Sequence, residues 1–96
     1  MIENIISMSF NDIVNYFNKG INSKNPIPEN VDGLNFLMSY FENEKRFTLT
    51  VIKYEIYITS YVFITIIEKL ENYFKYKGIK AIIKLKGQNL EIEGFL

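Results

Sequence analysis

The 96-residue chain contains no histidine and no cysteine. Without histidine it lacks the commonest general base near neutral pH and the commonest metal ligand. Without cysteine as well, the usual sites for zinc, copper, haem and iron–sulfur clusters are excluded. So are Ser-His-Asp and Cys-His nucleophile systems and any disulfide framework, an absence that fits a reducing cytosol. Neither sign of charge is in excess: 11 basic and 11 acidic residues leave a formal net charge of zero. No global field therefore draws the chain to nucleic acid or to an anionic membrane, and it is no acidic mimic of DNA. Arginine, the preferred reader of phosphates and guanines, occurs once, at Arg46. Long apolar runs are also missing. The longest uncharged one, residues 56–67, has 12 residues between Glu55 and Glu68, short of the about 20 that a bilayer requires. The N-terminal residues lack the basic region of a signal peptide and carry Glu3. The expectation is a cytoplasmic protein in a bacterial host cell, without a membrane partner.

Phosphate-binding glycine motifs are absent too. The glycines at 20, 33, 78, 87 and 94 form neither GxxxxGK[ST] nor GxGxxG. The carboxylate pairs Glu42/Glu44, Glu68/Glu71 and Glu91/Glu93 would support acid–base or Mg²⁺ chemistry only if two of them converged in a cleft. Read as solvated surface pairs, they leave no catalytic residue, no metal site and no cofactor. The expectation is a protein that is not an enzyme.

What the chain does carry is clearest in its last third. Ser60 can cap a helix in which Phe63, Ile66, Ile67, Leu70, Tyr73 and Phe74 recur at three- and four-residue steps. Thr65, Glu68, Asn72 and Lys75 fall opposite, and Gly78 can take the left-handed conformation that stops the helix. The period then changes to two. Ile79, Ala81, Ile83 and Leu85 alternate with Lys80, Ile82, Lys84 and Lys86, and Gly87-Gln88 suits a two-residue type II′ turn. That register sets Leu85 opposite Leu90, Lys84 opposite Glu91, Ile83 opposite Ile92, Ile82 opposite Glu93 and Lys80 opposite Phe95. One face of the hairpin is apolar and packs on the helix, while the other mixes Lys with Glu.

The first half is less regular. Ser9 and Asp12 resemble an N-cap and its N3 carboxylate, and Phe10, Ile13, Val14 and Phe17 form a helical stripe that Gly20 would end. Residues 21–33 have the composition of a loop. Leu34, Leu37, Met38 and Phe41 fit one face of a helix capped by Asp32, although residues 35–51 also fit a hairpin. The complete apolar stripe favours the helix. Phe47, Leu49 and Val51 alternate with polar neighbours as a strand does, and the phase then slips through Ile52, Tyr54, Ile56 and Ile58, which implies a bulge or turn. The order is α-α-β(β)-α-β-β, a single α+β domain over residues 1–96 with helices on one face of a mostly antiparallel sheet.

Hydrophobic residues make up 48% of the chain, with 7 Tyr and 8 Phe. A domain of this size buries only about 60 to 65% of its unfolded surface, so some of these side chains face outward. Phe36, Tyr40, Tyr57, Ile82 and Phe95 are the candidate partner-binding residues. Ile82 and Phe95 could instead be covered by the N-terminal helices as a third layer. Pairing through an edge at Leu90 to Leu96 would give a homodimer. A nucleic-acid strip along Lys80, Lys84 and Lys86 is disfavoured, because Glu91 and Glu93 share that face.

The functional expectation is a small cofactor-free protein that binds a larger partner protein or forms a homo-oligomer. Its abundance of Ile, Asn and Lys, beside a single alanine, fits an AT-rich coding sequence of a low-GC bacterium or its phage. Phage or mobile-element inhibitors of bacterial systems (anti-CRISPR or other anti-defence proteins, immunity proteins, antitoxins) are then the natural class. The alternative is an adaptor or oligomerisation subunit of a larger bacterial assembly, and an RNA-binding protein comes third.

Overall fold

A computed structural model describes residues 2–55 and 57–96. Its elements are helix α1 (Ile2–Ser23), strands β1 (Glu29–Val31), β2 (Leu34–Phe41) and β3 (Arg46–Lys53), helix α2 (Ser60–Tyr76), and strands β4 (Lys80–Lys86) and β5 (Asn89–Phe95). The class is α+β, with a five-stranded sheet in the order β1-β2-β3-β5-β4 whose neighbours are all antiparallel. Because β3 and β4 both run against β5, they are parallel to each other, and α2 connects them across the intervening strand.

The helix α1 is longer than its central stripe suggests. Ile6, Ser9, Ile13, Tyr16, Phe17 and Gly20 are its buried residues, and they recur at three- and four-residue steps around one face. Ser9 is therefore an interior position rather than a cap. Gly20 is likewise inside the helix: a Cβ there would lie 2.7 Å from Met38 Sδ, so glycine leaves the room that the Met38 side chain of β2 occupies. The helix ends three residues later at Ser23, and the next residue, Lys24, takes φ 62° and donates its N–H to the Gly20 carbonyl at 3.2 Å.

Residues 34–41 form strand β2 and not a helix. Asp32 and Gly33, with φ of 48° and 84°, make a two-residue turn that sets Val31 opposite Leu34. Two consecutive positive φ values are the signature of a type I′ hairpin, which Asp-Gly suits. Asp32 is thus a turn residue and no helix cap, and Glu29–Val31 of the expected loop is a strand. Along β2 the residues Leu34, Phe36 and Met38 are buried, while Asn35, Leu37, Ser39 and Phe41 take the other parity. Pairing with β3 runs from Leu34↔Lys53 to Phe41↔Arg46. Eight consecutive residue pairs outweigh a local helical stripe. The phase slip after Val51 marks the chain leaving the sheet at Lys53, with Ile58 returning to the core from the connection; Ile56 lies outside the described residues.

The C-terminal third follows the sequence pattern closely. Thr59, one residue before Ser60, is the N-cap, and its Oγ1 accepts from the Val62 N–H at 3.4 Å. At the other end, Gly78 N–H bonds the Lys75 carbonyl and Ile79 N–H the Phe74 carbonyl, the paired closure of a Schellman motif. The β4–β5 register matches the expectation at every pair named, with Gly87-Gln88 as the turn. The position of β5 differs: it lies between β3 and β4, so residues 90–96 offer no edge for dimerisation.

Both helices pack on the same face of the sheet. Ring centroids of Phe17, Phe47 and Phe74 lie 4.8 to 5.9 Å apart, joining α1, β3 and α2, while Tyr16 stacks on Phe36 at 5.0 Å. Rings of this size each contribute about 1.5–3 kcal/mol when fully buried. The core lies wholly between the helices and this face.

Candidate functional site

The other face of the sheet is covered by neither helix. Strand register arranges its side chains in four rows across β2, β3, β5 and β4: Asn35, Ile52, Asn89, Lys86; Leu37, Thr50, Glu91, Lys84; Ser39, Thr48, Glu93, Ile82; and Phe41, Arg46, Phe95, Lys80. Alternation along each strand puts these residues outward, because their neighbours fill the core. Four large apolar residues stand exposed among them: Leu37 at 44%, Phe41 at 40%, Ile82 at 64% and Phe95 at 49%.

The fourth row is ordered by charge as well as packing. The Arg46 guanidinium lies over the Phe41 ring, 4.1 Å from its centroid, and its Nε donates to Glu44 Oε2 at 3.0 Å. Phe95 is its cross-strand neighbour on the other side. The short side chains of Thr48 and Thr50 leave a shallow trough of about 250 Å³, bordered by Ile82, Lys84, Glu91 and Glu93. A second, larger opening of about 580 Å³ lies at the β4 edge, between Phe74 and Lys75 of α2 and the strand residues Ala81, Ile82 and Phe95.

Comparison with known proteins finds no matching family model, no similar curated protein and no similar solved structure. The geometry alone must therefore carry the functional reading.

Of the five residues expected at a partner surface, only Ile82 and Phe95 share one. Neither is covered by a third layer. Phe36 is fully buried, because β2 is a strand and Phe36 has its inward parity. Tyr40 is on the same parity, half-buried against the core. Tyr57 is 44% exposed, but its hydroxyl donates to the Asp32 carbonyl at 3.4 Å, at the end of the sheet opposite Phe95. Seven residue steps of β2 separate the two ends, about 24 Å at strand rise. Leu37 and Phe41 are additional members of the surface. They were hidden within the apparent helical stripe of residues 34–41.

Glu71 and Glu93, from two of the acidic pairs, border the same opening at the β4 edge, and neither has a third ligating residue beside it among the described residues. Glu42 accepts from Lys24 Nζ at 2.9 Å and Glu44 from Arg46, while Glu68 and Glu71 are exposed on α2. Among the described residues no three potential metal ligands converge. One carboxylate is strongly perturbed: burial, with Asp32 close by, raises Asp12 from 3.8 to about 6. Asp12 lines none of the four cavities described around the fold, so its shift belongs to packing between α1 and the β1–β2 turn. No helix among the described residues is long and apolar enough to cross a membrane.

Proposed function

We propose that the chain is a non-catalytic protein-binding module that works by laying its uncovered sheet face on a larger protein. The observation that supports this most directly is the exposure of Leu37, Phe41, Ile82 and Phe95 on a face with Arg46, three lysines and two glutamates between them. Apolar anchors ringed by charge are the composition of a protein interface, with desolvated centres and a polar rim. A phosphate backbone would favour a uniformly basic face, and Glu91 and Glu93 interrupt this one. A small chain of this kind acts by occupancy. It suits an inhibitor that covers a working surface of its target, as phage and mobile-element inhibitors of bacterial systems do.

The test is affinity capture from the host lysate with the wild type, Phe95→Asp and Ile82→Asp, each checked for an unchanged urea midpoint. Both substitutions place a carboxylate at an exposed site and should lower affinity by about 2 kcal/mol or more if the residues are anchors. Light scattering on the same samples should give a monomer. Capture that survives both substitutions refutes the choice of face, and a concentration-independent dimer lost in Phe95→Asp would assign the face to self-association.

A further inference from the structure

Strand β4 ends the sheet, and one of its hydrogen-bonding edges is open. Among the described residues, no backbone bond from a turn or loop and no side-chain hydrogen bond reaches residues 80–86 from that side. The 580 Å³ opening lies along the first half of this edge. On the helix side it is bounded by Glu71, Phe74, Ile79 and Ala81, on the open side by Ile82, Glu93 and Phe95, so the groove itself suits apolar side chains and an acidic segment must set its carboxylates on the lysines beyond it. This is the space an added strand would fill, since a neighbour strand lies about 4.8 Å away with side chains alternating to both faces.

The side chains of β4 say what kind of strand fits. Lys80, Lys84 and Lys86 share the open-face parity and are exposed, and none forms an ion pair among the described residues. A second copy is a poor match. Antiparallel pairing of two β4 strands centred on Ile83 sets Lys80 against Lys86, and centring on Ile82 sets Lys80 against Lys84. Like charges directly opposite oppose pairing, and lysines on an edge commonly serve to block it.

Resting on the reading of this chain as a protein binder, we propose that β4 receives an extended acidic segment of the partner as a sixth strand. Its carboxylates, at alternate positions, lie against Lys80, Lys84 and Lys86, and its apolar residues enter the groove beside Phe74, Ile79 and Ala81. Main-chain hydrogen bonds hold the segment and the alternating pockets select it.

The probe is a capped octapeptide alternating Glu and Val, with a Lys-Val octapeptide as its counterpart, added to the isotopically labelled full chain. Saturable amide shifts should centre on residues 79–86 and slow their exchange with solvent. The exposed double variant Lys80→Glu/Lys86→Glu, whose cross-strand neighbours Phe95 and Asn89 are uncharged and which should keep its urea midpoint, should bind the Glu-Val peptide about tenfold more weakly and gain binding of the Lys-Val peptide. Equal response to both peptides, shifts confined to other elements, or no shift at millimolar peptide overturns the proposal. Displacement of the peptide by an oligothymidylate at similar concentration would assign the lysines to nucleic acid and overturn it too. If the peptide fails while Phe95→Asp still abolishes capture of the host partner, the edge is wrong and the face reading stands.

Discussion

Asp12 lies on α1 beside the β1–β2 turn, with one carboxylate oxygen buried and without a hydrogen-bond partner among the described residues. Burial first, then the neighbouring Asp32, raises its pKa from 3.8 to about 6. The folded state therefore holds a proton that the unfolded chain gives up near pH 4. Below pH about 4 both states are protonated and the group costs nothing. As pH rises from about 4 to about 6, stability falls, because ionisation is easy in the unfolded chain and opposed in the folded one. Above that window the loss is complete. Two pKa units correspond to about 3 kcal/mol as a ceiling, and residual contact with water reduces this to about 1–2 kcal/mol. Asp12→Asn removes the titration and can donate its amide to the Asp32 carboxylate. Urea denaturation at pH 4 and pH 8 should show the variant gaining about 1–2 kcal/mol on the wild type between the two, while carboxylates distant from Asp12 cancel in the comparison. NMR titration of the Asp12 carboxyl carbon supplies the second reading: Asp32→Asn should lower its pKa only in part, since burial is the larger cause. A wild-type-to-variant difference that stays flat from pH 4 to pH 8 would show that this carboxylate is solvated, and would refute the reasoning.

Gly33→Ala should lower stability by about 1–3 kcal/mol, read as a shift of the urea midpoint at constant slope. Its φ is 84°, and a Cβ would meet Glu55 Cγ at 2.5 Å and Ile58 Cδ1 at 3.0 Å; an unchanged midpoint would mean that the turn does not pack on the connection to α2. Phe74→Ala removes the ring shared by Phe17 and Phe47, and should cost about 3–5 kcal/mol. Calorimetry would measure it as a lower Tm, and a loss under about 1 kcal/mol would mean that the aromatic cluster is loosely packed.

The closing helix and hairpin were legible because every determinant is local. The alternation of β4, the Gly87-Gln88 turn and the stop at Gly78 lie within a few residues of what they control. The remainder depended on contacts distant in sequence. Gly20 reads as a stop until β2 is seen to pass within reach of it, and β5 reads as an edge until β3 pairs with its free side. For residues 34–41 a local signal did exist. Asp32-Gly33 between two strand-forming runs is a strong hairpin cue, and it competes with a reading of Asp32 as a helix cap.

The helical stripe that obscured β2 and the candidate surface have a common origin. In a strand with one wet face, outward positions are ordinarily polar, and period two is then plain. Strand β3 obeys this at Thr48 and Thr50, and β2 does not at Leu37 and Phe41. Those two residues, with Leu34 and Met38, imitate a helix face because they are apolar where the fold gains little by it. Ile82 on β4 and Phe95 on β5 break the rule in the same way. These side chains add little to the core and share the uncovered face of the sheet, which is why the proposed docking surface rests on them. The four reach one sheet face from two segments distant in sequence, strand β2 and the β4–β5 hairpin, which β3 brings together by pairing with both β2 and β5, a grouping that neither segment requires for its own formation.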